Sequence, residues 1–341
     1  MMQRFPRHPL HGIHDPTRHT PPRRPGSVQR TSSVDMTRDP GSLDPVFLHG
    51  HARDLYTAPD STTTVLGTAA VEATVELVAR VMQHLAIQPP VAGLHLVGAP
   101  AMSGFRNAVD KAAPELRMRR DLRYTLLDDL PVATLISGHA LSASGVLGKA
   151  STTGYMPVAD QCAGFVTGGL LMSSFARDEP TVVTGPVAPE LRDPADPLSW
   201  HDMADLPVHG MRRQRRLDVW RSGRDVLVDA MFRDTYVRAD GVVTVIHEYT
   251  LEAAVDPGSG VIVRAEATPR VLPWQECPGA VASARRIAGM RLDELHARVR
   301  NELHGTTTCT HLNDLLRSVA DTAALIPALP TDRTKKKCRF R

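Results

Sequence analysis

The sequence has few aromatic residues, few cysteines and no long apolar run. Aromatic residues make up 4% of the 341 residues, and there are four cysteines. No run of eighteen apolar residues occurs, so no transmembrane helix is expected. The N-terminal segment is positively charged but lacks the apolar region of a secretory signal. Four cysteines are too few for a disulfide framework in a chain of this length, so we expect a reduced, cytoplasmic protein.

Charge is concentrated at the two ends of the chain. The formal net charge is +3, of which residues 1–40 contribute +4 and residues 331–341 contribute +5, so the body between them carries −6. A mildly acidic body argues against nucleic-acid binding by the folded part. We therefore expect a small-molecule ligand as the partner, with no nucleic acid and no membrane, and the oligomeric state stays open.

Composition divides the chain into five segments. Residues 1–45 are rich in Pro, Arg, His and Ser, which predicts a disordered tail. Residues 46–177 are predicted to form an N-terminal α+β domain, and residues 178–210, with six prolines, a stiff linker. Residues 211–330 are predicted to form a C-terminal α+β domain with a Cys/His motif, followed by a basic tail at 331–341. Both tails are expected to be dispensable for folding.

The second half has the clearer secondary-structure pattern. Alternating apolar residues and turn signals predict an antiparallel meander of four strands at 216–220, 226–237, 242–255 and 260–268. Helices are predicted at about 278–289, 292–304 and 309–325. An antiparallel sheet followed by packed helices is typical of the α+β class.

The first half gives a different pattern. The spacing of its valines predicts a helix over 68–86, whereas 118–142 alternates and predicts two strands; residues 163–176 are predicted to be helical. The same order of features occurs twice, from Met118 to Cys162 and from Met211 to Cys277. It consists of a basic strand, an apolar strand and a Cys-x-Gly sequence at the start of a helix. The repetition indicates either two related sheet-plus-helix units or a chance likeness of short strands.

The residues best suited to chemistry are Cys277, Cys309 and His311. Both cysteines are expected near helix starts, where the helix dipole stabilises a thiolate. Together with the histidine they could bind zinc or iron, or act as nucleophile and base, or the cysteines could be buried packing residues. His247 and Glu248, a weaker candidate pair, are adjacent on a strand and should point to opposite faces of the sheet.

Two resemblances follow from these motifs. Residues 211–329, with Glu276-Cys277-Pro278 and Cys309-Thr310-His311-Leu312, resemble a bacterial family of domains of unknown function, which implies no activity. The spacing of Cys277, Cys309 and the glycines between them is similar to the NifU/IscU-like iron–sulfur scaffold fold. That resemblance implies a three-stranded sheet backed by helices, with the cysteines meeting at one tip.

These observations favour a cytosolic bacterial enzyme that acts on a small organic substrate of aromatic or acyl-CoA type. Cys277, Cys309 and His311 would be its catalytic residues. One alternative is a metal or iron–sulfur binding or carrier protein that uses the same three residues as ligands. The other is a ligand-binding module with structural cysteines only. In each site hypothesis, we expect Cys277 to lie close enough to Cys309 and His311 to share a ligand.

Overall fold

One antiparallel sheet of eight strands forms the centre of the protein, so the predicted α+β class is confirmed. The computed structural model describes residues 12–146, 158–179, 182–183 and 185–330; residues 1–11 and the predicted basic tail at 331–341, with Cys338, lie outside these ranges. The spatial order of the strands is β4-β3-β2-β1-β5-β6-β7-β8. The strands are β1 (Ser27–Thr37), β2 (Val46–Thr57), β3 (Thr63–Glu76), β4 (Val81–Gln88), β5 (Met211–Ser222), β6 (Asp225–Val237), β7 (Val243–Asp256) and β8 (Val261–Val271).

Helices pack against the sheet in both halves. They are α1 (Phe105–Ala112), α2 (Pro114–Met118), α3 (Leu122–Ile136), α4 (Gly138–Ala143), α5 (Leu170–Ala176), α6 (Leu292–Glu302), α7 (Thr310–Ser318) and α8 (Thr322–Leu325), with short 3-10 segments at Ala163–Phe165, Cys277–Ile287, Val319–Asp321 and Ile326–Ala328. Helix α3 packs on β1, β2 and β3, and α7 packs on β6 and β7. Within the described ranges, no helix is both long enough and apolar enough to cross a membrane.

The two halves of the sheet are matching four-stranded meanders. The β2–β3 pairing shifts register at Asp54, and the β6–β7 pairing shifts at Asp234, 180 residues further along. The β3–β4 pairing likewise shifts after Thr74, and the β7–β8 pairing after Ala254, again 180 residues apart. Bulges are specific local features of a sheet. Two pairs of register shifts with the same 180-residue spacing therefore support the interpretation of two related units.

An ion pair occupies the same place in each unit. Arg30 on β1 pairs with Asp54 on β2 at 2.8 Å, and Arg213 on β5 pairs with Asp234 on β6 at 3.0 Å. Each arginine lies directly opposite its aspartate in the strand register. The sheet is continuous because β1 pairs with β5, and the two four-stranded units therefore meet at the centre of one sheet.

The expected repeat boundaries were nevertheless wrong. Met118 ends helix α2, and the predicted apolar strand at 132–136 lies in α3. Cys162 precedes a 3-10 segment between α4 and α5, whereas Cys277 follows β8, so the two cysteines are not equivalent. The alternation of Leu122, Tyr124 and Leu126 resembled a strand because α3 is buried on nearly all sides and lacks an exposed helical face.

The predicted helix over 68–86 was also wrong, since this stretch contains the end of β3 and most of β4. The buried residues Val71, Ala73 and Val75 alternate along β3 as expected of a strand. The bulge after Thr74 changes the phase towards Met82. Val71 and Val75 lie on β3, Val78 lies in the turn and Val81 begins β4, so their helical spacing does not reflect a helix.

The predicted disordered tail over 1–45 is contradicted in its described part. Strand β1 lies between β2 and β5, and most of its residues are buried. Its helix-facing side chains include Val28, Val34 and Met36, whereas Thr31 and Ser33 point to the other face. The polar side chains lower the mean hydropathy of this stretch although they are buried. For this reason the stretch was wrongly predicted to be disordered.

The described part of the predicted linker at 178–210 packs against the sheet face opposite the helices. His201 is 7% exposed and contacts Ser33 at 2.8 Å and Thr31 at 2.9 Å. Arg53 on β2 donates to the carbonyl of Leu198 at 2.7 Å. We call the described residues from 182 to 210 the covering segment. Its contacts with polar side chains explain why that face of β1 can be both polar and buried.

Candidate cysteine–histidine site

Three potential metal ligands converge on the helix side of the second unit. The ligand atoms of His247, Cys309 and His311 all lie within 4.8 Å of one another. His247 and Cys309 are buried, and His311 is partly buried. The sheet supplies the first of these residues, and the start of α7 supplies the other two.

The local structure explains how these side chains meet. His247 alternates along β7 with Tyr249 and Leu251, which are both buried. The neighbouring Glu248 points to the other face, where it binds Arg233 at 2.6 Å, so the predicted opposite orientation is confirmed. Cys309 is the extended residue immediately before α7, with φ −133° and ψ 128°.

The two imidazoles lie face to face. Their ring centroids are 4.0 Å apart with an interplanar angle of 25°, and His311 also stacks on Phe232 at 6.2 Å. Among the described residues, neither His247 Nε2 nor His311 Nε2 has a hydrogen-bond partner, although both atoms are buried. Buried polar atoms normally have a partner, so these two nitrogens are available as ligand atoms.

Both histidines are held in the neutral form. Burial lowers the pKa of His311 to about 3, and the nearby Arg213 guanidinium contributes to this. Burial also lowers the pKa of His247 well below its ordinary value, with further contributions from His311 and Arg213. Neutral imidazoles are the form that binds metal ions.

The thiols near these histidines are protonated. Burial raises the pKa of Cys309 to about 12 and raises that of Cys277 well above its ordinary value. Burial also raises the pKa of Cys162, although three backbone N–H groups oppose the effect. The pKa of Tyr249 is raised by burial and then by Cys309, Cys277 and Cys162, so three thiols surround this phenol.

A network of buried charges adjoins the histidines. The Arg213 guanidinium contacts Asp129 at 3.2 Å, Asp234 at 3.0 Å and Asp314 at 3.4 Å, and its side chain is fully buried. It also lies over the ring of Phe232, 4.6 Å from the ring centroid. Burial raises the pKa of Asp234 to about 7, against the opposing effect of Arg213. Arg213 thus ties α3, β5, β6 and α7 together beside the site.

A zinc-type ion fits the donor set after a modest contraction. Metal–nitrogen bonds of about 2.0–2.1 Å and metal–sulfur bonds of about 2.3 Å place tetrahedral ligand atoms roughly 3.4–3.8 Å apart. The present spread reaches at most 4.8 Å. Stacked rings direct their nitrogen lone pairs side by side, so one imidazole has to turn before both can bind one ion.

The same geometry does not activate a nucleophile. General-base activation of a cysteine requires an imidazole that can take the thiol proton. Here burial raises the pKa of Cys309 to about 12 and lowers that of His311 to about 3. Transfer of the proton from sulfur to nitrogen is therefore strongly unfavourable without a further positive charge.

The structure places the sequence-predicted residues in one region. Cys309 and His311 belong to the convergent group, and Cys277 lies beside it without joining the set that falls within 4.8 Å. His247 was only a weaker candidate from the sequence, although its alternation with Tyr249 on a strand indicates that it faces inward. No local sequence signal shows that Cys162 of the first half belongs here.

Residues 211–325 match the profile of a family described as a protein of unknown function, DUF2889. The match covers the meander and helices of the second unit, about a third of the chain, and agrees with the expected resemblance to a domain of unknown function. No curated protein and no solved structure matched the chain. The NifU/IscU likeness thus has no support here, and the eight-stranded sheet differs from the three-stranded sheet that it implies. The second unit is similar to the family DUF2889.

Proposed function

We propose that the second unit binds a divalent transition metal of the zinc class through His247, Cys309 and His311. The observation that carries the proposal is the convergence of three ligand atoms within 4.8 Å, two of them contributed by histidines whose buried Nε2 atoms have no partner in the described part of the chain. Nitrogen and sulfur donors of this kind suit zinc and similar borderline metals.

The protonation states support this proposal over thiol catalysis. The histidines are already neutral, so they need lose no proton to bind a metal. The thiol of Cys309 has to lose its proton, and a divalent cation supplies the positive charge that makes this favourable. We therefore expect zinc binding to release one proton from the protein at neutral pH.

We therefore favour metal binding over enzyme catalysis as the function of this site. Two of the three side chains are buried and the third is partly buried, so the site suits an ion better than an organic substrate. Three ligands leave one coordination position for water, for Cys277 or for Tyr249. A bacterial, cytoplasmic protein remains our prediction, supported by the free thiols of Cys162, Cys277 and Cys309.

Zinc affinity of the full chain tests the proposal. The protein would be freed of metal under reducing conditions and titrated with zinc against a chromophoric chelator. We expect one site, which His247→Gln, His311→Gln and Cys309→Ser each weaken by at least about tenfold, since even outer-shell changes weaken metal sites by that factor.

His139→Gln is the matched control. His139 also has a buried Nε2 without a partner among the described residues, but it makes an edge-to-face contact with Tyr236 and is outside the convergent group. Its substitution should leave zinc affinity unchanged. Stoichiometric iron with acid-labile sulfide would favour the iron–sulfur alternative instead. Equal affinity in all four variants and the parent protein would refute the proposed ligand set.

A further inference from the structure

The first half contributes a cysteine that lies beside the proposed metal ligand Cys309. The backbone N–H of Ala163 donates to the carbonyl of Thr308 at 2.9 Å. The backbone N–H of Thr310 points at the Cys162 thiol and lowers its pKa against the effect of burial. The segments around residues 162 and 309 therefore run next to each other.

Both cysteines have extended backbones at this contact. Cys162 has φ −155° and ψ 173°, and Cys309 has φ −133° and ψ 128°. Each of them directly adjoins a residue of the Ala163–Thr308 hydrogen bond, so the two backbones lie next to each other. Disulfides usually span about 4.4–6.8 Å between Cα atoms, a separation that residues on two backbones joined by a hydrogen bond can reach.

Cys277 is placed differently. It begins a 3-10 segment and packs against Gly164, where an added Cβ would lie 2.9 Å from the Cys277 sulfur. Its backbone does not pair with residues 308–310 in the described hydrogen bonds, so it lacks the side-by-side arrangement of Cys162 and Cys309. Among the described residues, Cys162 and Cys309 are thus the two cysteines whose neighbouring backbone groups hydrogen-bond to each other.

We propose that Cys162 and Cys309 form a reversible disulfide that controls occupancy of the metal site. This regulation rests on the proposed metal-binding function, because Cys309 cannot serve as a thiolate ligand while it is in a disulfide. Cys162 is 7% exposed and Cys309 is 3% exposed, so the oxidant has to be small. Hydrogen peroxide meets this requirement.

The chemistry balances with peroxide as the oxidant. Once the proposed metal has made Cys309 a thiolate, its sulfur attacks one peroxide oxygen, the O–O bond breaks, and the departing hydroxide takes up a proton from solvent to become water. The Cys162 thiol then attacks the resulting sulfenic sulfur, loses its proton and displaces the second oxygen as water. The two sulfurs lose two electrons in total, and one peroxide is reduced to two waters.

The test combines peptide mapping with zinc release in the zinc-loaded full chain. After peroxide treatment, mass spectrometry under non-reducing conditions should find the Cys162 and Cys309 peptides linked. One zinc should appear on a chromophoric chelator for each disulfide formed, and a thiol reductant should restore binding. Cys162→Ser should abolish the linkage and slow the release of zinc by peroxide, while its zinc affinity before oxidation stays near that of the parent protein.

Cys277→Ser is the matched control, and it should still form the Cys162–Cys309 linkage. A Cys277–Cys309 linkage, a Cys162–Cys277 linkage or no linkage at all would overturn the proposal. The metal-free protein separates the two proposals. If the Cys162–Cys309 linkage forms in a protein that never binds zinc, the redox pair stands and the proposed metal function fails.

Discussion

Arg213→Met should destabilise the protein more than any surface arginine substitution. The Arg213 side chain is fully buried between Asp129, Asp234 and Asp314, whose own side chains are at most 5% exposed. Methionine would keep much of the apolar stem but leave these carboxylates without their shared cation. Removing one partner of a buried ion pair costs about 3–5 kcal/mol, a large part of the roughly 5–15 kcal/mol that stabilises a typical domain.

The loss should grow as the pH rises. The pKa of Asp234 is already raised to about 7 by burial although Arg213 opposes the shift, and removal of Arg213 raises it further. A carboxyl group whose pKa is higher in the folded state than in the unfolded state loses stability as the pH rises from the unfolded value through the folded value. Arg213→Met should therefore be less damaging at pH 5 than at pH 8.

Urea unfolding at both pH values measures this effect. Arg238→Met is the matched control, because Arg238 pairs with Asp240 on the surface and both side chains are about half exposed, at 52% and 50%. An exposed pair of this kind is worth at most about 1 kcal/mol. If Arg213→Met and Arg238→Met shift the unfolding free energy equally, the buried network does not have the structural role argued above.

Three further predictions concern the fold. Deletion of residues 1–45 should prevent folding. Burial of Val28, Val34 and Met36 in β1 contributes about 5–9 kcal/mol to stability, at about 1.5–3 kcal/mol for each side chain. Deletion of residues 331–341 should leave the melting temperature unchanged. Gly185→Ala should lower the melting temperature, since its Cβ would lie 1.7 Å from the Val245 carbonyl oxygen, and Gly279→Ala, with open space, should not. The free energy of unfolding should decrease as the pH falls from about 6.5 towards 3. Burial lowers the pKa of His201 to about 3, so His201 takes up a proton more readily in the unfolded chain than in the folded protein. Urea unfolding of His201→Gln should show a pH dependence that is weaker by up to about 1.4 kcal/mol per pH unit.

In the second unit, the sequence predicted β6 and β7 well, whereas β5 begins at Met211, five residues before its predicted start. Strands β6 and β7 were placed within a residue or two, since turns that contain glycine bound them. In the first unit, α3 is buried on nearly every side and β1 buries polar side chains on one face. The hydropathy of the sequence alone does not reveal that a helix is buried on nearly every side or that polar strand residues are buried.

The candidate site was predictable only where it is local in sequence. Cys309 and His311 are two residues apart at one helix start, so their proximity follows from the chain itself. His247 joins them only because β7 packs against α7, and Cys162 only because Ala163 pairs with Thr308. These contacts depend on tertiary structure, which no residue spacing encodes.

X-ray absorption at the zinc edge of the zinc-loaded full chain tests the central claim most directly. A site made by His247, Cys309 and His311 predicts one sulfur at about 2.3 Å and at least two nitrogens at about 2.0–2.1 Å. A second sulfur would show that another cysteine, such as Cys277, completes the site. A first shell without sulfur, or one that Cys309→Ser leaves unchanged, would contradict the account.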